Sequence, residues 1–481
     1  MIISQLRLFL ENPLLTIQTV SAQFLRNRSL ILTMAALQLV WLLMIVVTGA
    51  STKYNTLLVV TIISVIATFL VLFLPTSAIQ KIHRLKDWLF QSEKRSLLFL
   101  CIAAVLIGVV YSARENQWTD EQSNFEAAKI IATDGIPLAY HRVGWLGKQH
   151  PPLFPIISAL TLKLPGPDLF YMRLVSVFFL AGTLVVTYLL GRELYSQEIG
   201  YLAAILLLSF PLVIRLSASA MMDIALTFFF DLALLLLIRL SRNPSYRLAC
   251  ATGLVIGLGL LTKYIMVFIF VVLFVYFIFI KSFQKIKGYL LIVGVVSMSV
   301  FAIWLLYANH FGILSKQFEK ILSFVGTYHM VRNLEENIQD TPSTHSTANE
   351  AQNPDPLDVI QNGIFRLGLE TLFTRLPSSL GVYHAPLILF GLLYLLKRRN
   401  PADWMLLLWI GAITLFLFLT LPDHRYFLPI FPAVAMVVAH TLVRFPDYAE
   451  RAILLSLLFG AGNLYLFADW VRESHIFLLH P

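Results

Sequence analysis

Two adjacent carboxylates, Asp120 and Glu121, follow a strongly apolar segment that ends near residue 112. They head a helical pattern through Phe125 and Ala128, and a helix start favours acidic side chains through its dipole. A carboxylate just above a bilayer, covered by the apolar side of a helix, can also accept a proton from a hydroxyl group. We therefore predict Asp120 as a general base. Glu121 is the second catalytic candidate. Because consecutive helix positions point in different directions, its side chain is not expected to face the same way as that of Asp120.

Single cations at a similar predicted depth form a second group. Lys263 interrupts an almost unbroken apolar stretch, and Arg425 lies in the short connection Asp423-His424-Arg425-Tyr426. Arginine binds phosphate oxygens through two parallel N–H groups, and lysine offers a compact charge. A lysine that only reaches toward the lipid headgroups is the structural alternative. The predicted phosphate-binding residues are Lys263, Tyr264, Arg173, His424 and Arg425.

Asp223 and His150 are predicted to orient a substrate at the same level. Asp223 precedes an apolar run, so it lies near one end of its span, where an ionisable group faces a cavity or a partner. His150 begins a His-Pro-Pro sequence whose prolines force an extended or turned backbone. A helix cap and a structural hydrogen bond are the respective alternatives. Asp231, about two turns deeper, is expected to form a hydrogen bond to a neighbouring helix.

Membrane-spanning helices must carry these residues. Of the 481 residues, 58% are hydrophobic and only 13% are charged, which no ordinary soluble domain of this length shows. A spanning helix needs roughly 20 mostly apolar residues. The predicted fold is an all-α polytopic membrane protein with juxtamembrane helices and about 13 spans, at roughly 30–49, 55–74, 96–112, 169–190, 198–214, 221–238, 247–262, 264–280, 288–308, 383–396, 403–421, 426–443 and 452–470.

Lysine and arginine predict the orientation, because short cytoplasmic loops collect positive charge. With the N-terminus inside, the longest loops, 113–168 and 309–382, face the periplasm or the exterior, together with every candidate residue. The net charge of +9 follows from this bias and does not indicate nucleic-acid binding. The predicted location is the cell (inner) membrane. The basic clusters that face the cytoplasm and touch membrane lipids are Arg26/Arg28, Lys81/Arg84/Lys86/Lys94/Arg95, Arg239/Arg242/Arg247, Lys281/Lys285/Lys287 and Lys397/Arg398/Arg399.

The chain divides into four predicted parts. Residues 1–95 hold an amphipathic segment and an additional transmembrane hairpin. Residues 96–308 form the catalytic core and include the acidic loop 113–168. An external polar loop with a surface helix follows at 309–382, and the last spans occupy 383–481.

The motifs together resemble the GT-C membrane glycosyltransferases, in the branch of the protein O-mannosyltransferases and the bacterial aminoarabinose transferase that acts on lipid A. Each motif is short, and their order, spacing and sidedness carry the resemblance. The resemblance implies a GT-C fold and transfer of a sugar from a polyprenyl-phosphate donor. It extends over about 96–443 and comprises Asp120-Glu121, His150-Pro151-Pro152, Arg173, Asp223, Thr262-Lys263, His424-Arg425-Tyr426, Pro429 and Pro432.

The resemblance also implies roles for the candidates. Asp120 would activate an acceptor hydroxyl for attack on the anomeric carbon with inversion. Lys263, Arg425 and Arg173 would neutralise the departing lipid phosphate. Asp223 and His150 would orient the acceptor or the sugar, or share a divalent metal, since metal use differs within the superfamily. The acceptor would be a lipid, a glycan or a protein.

Two other functions are weighed against this one. A transporter or lipid flippase would also be polytopic, but transporters bind near the bilayer midplane between repeated halves. Here the charges collect at one surface, and the sequence shows no repeat. A polymer ligase that uses a diphosphate-linked donor would share the fold and much of the chemistry, so only the donor would distinguish it.

Overall fold

The computed structural model describes residues 91–113, 119–143, 150–165, 168–279, 283–315, 368–369, 371–381, 384–420 and 423–443, together with Arg84, Asp87 and Trp88. The predicted spans 30–49, 55–74 and 452–470 lie outside these described residues, as does most of the loop 309–382. The division into four parts therefore stays a prediction.

Within the described residues the chain is helical and contains no strand. Short 3₁₀ segments, Tyr264–Val267 and His424–Ile430, precede two of the helices, and a π-helical turn covers Thr371–Arg375. The α-helices are α1 (Glu93–Ser112), α2 (Thr119–Thr133), α3 (Ile136–Arg142), α4 (Leu153–Thr161), α5 (Asp168–Leu194), α6 (Gln197–Leu208), α7 (Pro211–Ser217), α8 (Asp223–Arg242), α9 (Tyr246–Leu260), α10 (Phe268–Phe279), α11 (Phe283–His310), α12 (Leu376–Leu380), α13 (Ala385–Arg398), α14 (Pro401–Thr420) and α15 (Phe431–Val443).

The membrane character predicted from composition is confirmed by the long apolar helices. In the described part of the chain, six helical segments are long and apolar enough to cross a membrane: Glu93–Ser112, Leu169–Leu194, Asp223–Arg242, Lys285–His310, Pro401–Phe418 and His424–Val443. Two further apolar helices, Tyr246–Leu260 and Tyr264–Leu273, are shorter than a full span.

The predicted span 198–214 is divided into two helices in the structure, since α6 and α7 meet at 71°. Pro211 is the first residue of α7 and has no N–H group to continue a helix. The hydroxyl of Ser209 donates to the carbonyl of Leu206 at 2.6 Å and helps to close the last turn of α6. This pair is a broken span or a re-entrant segment, and it carries Arg215 in its second half.

Helix α5 is the central element of the bundle, since it packs against α1, α6 and α8. At its crossing with α6, a side-chain carbon on Gly200 would overlap the carbonyl oxygen of Tyr188. Small residues permit such close helix contacts in membranes. In the interior, the hydroxyl of Thr187 on α5 donates to the buried carboxyl of Asp231 on α8 at 3.5 Å. The expected interhelical hydrogen bond of Asp231 is confirmed.

The helices have two chemically different ends. At one end, called the basic end, Glu93 pairs with Arg192, and Glu193 pairs with Arg239 and Arg242. At the other end, called the site end, lie the last residue of α1, the first turns of α2, α5 and α8, the turn after α9, and the 3₁₀ segment before α15. Antiparallel packing thus brings together residues that are far apart in sequence.

Candidate functional site

A buried ion pair anchors α2 at the site end. Glu121 is fully buried and accepts two bonds from Arg173, from Nε at 2.7 Å and from Nη2 at 3.0 Å. The same carboxylate accepts the backbone N–H of Ala220 at 2.7 Å, and Arg173 Nη1 donates to the carbonyl oxygen of Ser112 at 2.9 Å. One bidentate pair therefore connects α1, α2, α5 and the turn before α8.

Further hydrogen bonds support this anchor. The side-chain amide of Asn124, one turn along α2, donates to the carbonyl oxygen of Ala220 at 2.8 Å. Ser176 on α5 donates to the carbonyl oxygen of Met221 at 3.2 Å. Both carbonyls belong to the turn that leads into Asp223. The start of α8 is thus held by side chains from two other helices.

This geometry changes the roles that the sequence suggested for Glu121 and Arg173. Glu121 was a catalytic candidate, and Arg173 was a phosphate-binding candidate. The side chain of Glu121 is 0% exposed and that of Arg173 is 1% exposed. Their charged atoms are engaged by one another and by backbone groups. We therefore propose a structural role for both residues, in which they position their neighbours.

The side chain of Asp120 faces away from that of Glu121 and forms an ion pair with a different cation, Arg425. Its side chain is 27% exposed, and Oδ2 lies 2.5 Å from Nη1 of Arg425. The two residues are 305 positions apart in the sequence. Since residues one position apart on a helix differ by about 100° in direction, burial of Glu121 leaves Asp120 at the edge of the interface. The predicted base thus remains accessible and lies beside a predicted phosphate ligand.

Asp423 holds Arg425 in place. Its Oδ2 accepts from Nε at 3.2 Å and from Nη2 at 3.0 Å, and its Oδ1 accepts the backbone N–H of Arg425 at 3.0 Å. Burial would raise the pKa of Asp423, but the charge and hydrogen bonds of Arg425 outweigh burial and hold that pKa below its usual value. Asp423 is therefore anionic at neutral pH and fixes the guanidinium group in one orientation.

Lys263 and Asp223 form the second buried pair of the site. Lys263 Nζ donates to Asp223 Oδ1 at 2.6 Å, and the two side chains are 8% and 4% exposed. The ammonium group also lies 4.3 Å from the ring centroid of Tyr426. Tyr426 directly follows Arg425, and the charge of Asp223 acts on Arg425. The pairs Asp120–Arg425 and Asp223–Lys263 thus belong to one site.

Arg215 and Arg375 add two cations that our sequence reasoning missed. Both act electrostatically on His424, which lies 3.3 Å from Asp423 Oδ1, and Arg425 acts on Arg215. An isolated arginine in the apolar stretch Pro211–Ser217 was a usable signal for Arg215. Nothing in the sequence near Arg375 predicts that the π-helical turn approaches this site. We call Arg215, Lys263, Arg375 and Arg425 the cation cluster.

The segment from His150 to Leu153 and the residue Tyr264 adjoin the turn that carries Lys263. His150 is 5% exposed, and its carbonyl oxygen accepts the hydroxyl of Tyr140 at 2.9 Å. The N–H of Leu153 donates to the carbonyl oxygen of Leu261 at 2.9 Å, which connects the start of α4 to the turn that precedes Lys263. Tyr264 follows Lys263 directly and contacts Phe301 edge to face. Both residues thus form surroundings of Lys263.

The site combines an accessible carboxylate with concentrated positive charge. Asp223 pairs with Lys263, and Asp120 and Asp423 pair with Arg425. Within the described residues, no group of three or more His, Cys, Asp or Glu side chains is arranged to hold a metal ion. An anion bound at Arg425 would lie next to Asp120. This arrangement suits proton abstraction near a bound phosphate.

Comparison with known proteins found one family model that matches part of the chain and solved structures with a similar fold. A family model described as dolichyl-phosphate-mannose-protein mannosyltransferase matches residues 149–307, and no curated protein matches the chain. ArnT from Cupriavidus metallidurans bound to undecaprenyl phosphate is 16% identical, with a TM-score of 0.52 over 73% of this chain and 61% of that chain. The Archaeoglobus fulgidus oligosaccharyltransferase in complex with Zn and sulfate is also 16% identical, with a TM-score of 0.51 over 78% of this chain and 53% of that chain.

The predicted resemblance to GT-C membrane glycosyltransferases is confirmed by the family match and by the shared fold. The family model covers His150, Arg173, Asp223 and Lys263, whereas Asp120 and Arg425 lie outside it. The chain spans less than two thirds of the length of each of these two solved structures. Their likeness to this chain is one of fold.

Replacing Glu121 with Gln should lower the thermal unfolding midpoint of the purified protein, because Arg173 would remain buried beside a neutral group. Breaking a buried pair by removing one charge costs about 3–5 kcal/mol. Glu126→Gln, an exposed position on the same helix, is the matched control and should unfold like the wild type. The double variant Glu121→Leu/Arg173→Met should recover part of the loss. An unchanged midpoint for Glu121→Gln would contradict the anchoring role.

Proposed function

We propose that the chain is an integral-membrane inverting glycosyltransferase that moves a sugar from a polyprenyl-phosphate-linked donor to a lipid, glycan or protein acceptor. The observation that carries this proposal is the position of Asp120, an accessible carboxylate 2.5 Å from Arg425 at the edge of the cation cluster. The fold shared with ArnT, whose structure contains undecaprenyl phosphate, supports a lipid-phosphate donor.

Asp120 is the general base of the proposed reaction. Its carboxylate accepts the proton of an acceptor hydroxyl while the hydroxyl oxygen forms a bond to the anomeric carbon of the sugar. The bond between that carbon and the phosphate oxygen breaks, and the lipid phosphate leaves with the electron pair. Attack opposite to the leaving group inverts the anomeric centre. Of the two adjacent carboxylates, only Asp120 has the exposure that this step needs.

The cation cluster stabilises the departing phosphate. Arg425 and Lys263 are held by Asp423 and Asp223, so their charges are oriented before the donor arrives. A phosphate that binds Arg425 competes with Asp120 for Nη1 and thereby releases the base. Arg215 and Arg375 extend the positive surface on the side of His424. Donor binding and activation of the base are coupled through Arg425.

The remaining candidates have supporting roles in this proposal. Asp223 orients Lys263 through a hydrogen bond, whereas the sequence predicted that it orients the acceptor or the sugar. His150 and Tyr264 lie beside the Lys263 turn, where they can contact the sugar or the acceptor. Glu121 and Arg173 fix the first turn of α2 and hence the position of Asp120.

The site end is proposed to face the exterior or the periplasm. Arg192, Arg239 and Arg242 lie at the basic end, on the opposite side of the bundle. Short loops rich in lysine and arginine stay in the cytoplasm. Reaction on the outer side of the cell (inner) membrane follows from this charge distribution.

Asp120→Asn should abolish sugar transfer from a polyprenyl-phosphate donor, with a loss of about 10²–10⁴-fold in kcat, the usual contribution of a general base. Asparagine keeps the size of the side chain, so expression and membrane insertion should be retained. Asp134→Asn, an exposed aspartate directly after α2, is the matched control and should keep full activity. Full activity of the Asp120→Asn variant would exclude this residue as the base.

Lys263→Ala should mainly raise KM for the donor, by about tenfold or more, since a charged hydrogen bond to phosphate is worth about 1.5–3 kcal/mol. Steady-state kinetics with varied donor concentration measure this effect. Lys129→Ala, at an exposed position on α2, removes an equal charge and should leave KM unchanged. Donor dependence identical to that of the wild type would argue against a phosphate contact.

A membrane-impermeant thiol reagent tests the proposed orientation. In a variant without the native cysteines, Asp134→Cys should react in sealed right-side-out vesicles, because this exposed position lies at the site end. Lys397→Cys, exposed at the basic end, should react only after the membrane is permeabilised. Labelling in the opposite order would place the site in the cytoplasm.

A further inference from the structure

A polar cavity lies at the basic end, remote from Asp120. Helix α5 has 27 residues between the two ends, which corresponds to about 40 Å at 1.5 Å per residue. The cavity has a volume of 450 Å³, within the range of about 300–1,000 Å³ typical of small-molecule sites. Its lining consists of Leu194, Tyr195, Ile199, Arg398, His440 and Val443.

A buried carboxylate fixes the guanidinium group of Arg398 at this cavity. Asp403 is 0% exposed and accepts from Arg398 Nε at 2.7 Å and from Nη2 at 2.9 Å. It also accepts the hydroxyl of Tyr195 at 2.9 Å and the backbone N–H of Asn400 at 3.1 Å. The conformational freedom of Arg398 is thus lost before any ligand binds, which favours binding.

His440 completes the polar wall beside Arg398. Arg398 Nη1 lies 2.8 Å from His440 Nε2. Arginine can only donate, so Nε2 accepts, and a neutral imidazole carries its proton on Nδ1. The bonds from Arg398 to Asp403 and His440 use three of its N–H groups, and a guanidinium group has five. Arg398 therefore retains donor capacity toward the cavity.

The surrounding charge favours an anion. Glu93 and Glu193 only partly balance Arg192, Arg239 and Arg242. Lys397 and Arg399, on both sides of Arg398, are exposed and add positive charge. The remaining walls, Leu194, Ile199 and Val443, are apolar. An amphipathic ligand with a phosphate and an adjoining apolar part matches both kinds of wall, and such ligands are present at the surface of a membrane.

We propose that this cavity binds the phosphate headgroup of an anionic membrane lipid, with Arg398 as the phosphate ligand and the apolar walls against the glycerol region. The site is distinct from the proposed transferase site, and its test requires no enzymatic activity.

The experiment measures thermal unfolding of the full chain in phosphatidylcholine nanodiscs that contain increasing amounts of phosphatidylglycerol. The unfolding midpoint of the wild type should rise with phosphatidylglycerol. Arg398→Gln should need about tenfold more of this lipid for the same rise, since it loses a hydrogen bond from a charged group to the phosphate, worth about 1.4 kcal/mol. Lys397→Gln removes an exposed charge from the same helix and should respond like the wild type.

Val443→Trp provides a variant that leaves the Arg398–Asp403 pair intact, because it fills the cavity from its apolar side. Its unfolding midpoint should respond more weakly to phosphatidylglycerol than that of the wild type, as expected for Arg398→Gln. This variant still tests the proposal if Arg398→Gln fails to fold. A full response in Val443→Trp, or an equal loss in Lys397→Gln, would overturn the proposal. An equal rise with inorganic phosphate in pure phosphatidylcholine nanodiscs would assign the cavity to free phosphate and overturn the lipid assignment.

Discussion

The buried pair between Glu121 and Arg173 is the interaction on which the arrangement of the site depends. It joins residues 52 positions apart, and it also binds the backbone at Ser112 and Ala220. Without it, α2 would lose its charged attachment to the start of α8, and the hydrogen bond from Asn124 to Ala220 would remain. A buried ion pair contributes little net stability compared with apolar packing, but it requires one specific geometry. Here that geometry determines where Asp120 lies.

Burial separates the functions of chemically similar groups. Glu121 and Asp120 are neighbours in the chain, yet one is enclosed with Arg173 and the other is accessible beside Arg425. The same division applies to the cations, since Arg173 is engaged by backbone and carboxylate groups whereas Arg425 shares its charge with two aspartates. The buried pair Glu121–Arg173 holds the helix, and the partly exposed pair Asp120–Arg425 is the one that the proposed reaction uses.

The two ends of the bundle use charge in the same way for different purposes. At each end an aspartate orients a cation: the half-buried Asp423 holds Arg425, and the buried Asp403 holds Arg398. A fixed cation binds an anion with less loss of conformational freedom than a flexible one. At the site end the oriented cation also lies beside Asp120, the proposed general base.

Much of this protein is determined by its sequence. Apolar runs of spanning length and the distribution of lysine and arginine depend only on local composition, so they predicted a helical membrane protein and grouped Asp120, Lys263 and Arg425 on one side. The tertiary structure alone decided which charges pair. Packing turned Glu121 and Arg173 inward, bent the chain by 71° at Pro211, and brought Arg215 and Arg375 close to His424. These outcomes depend on contacts between helices distant in sequence, and local spacing carries no information about such contacts.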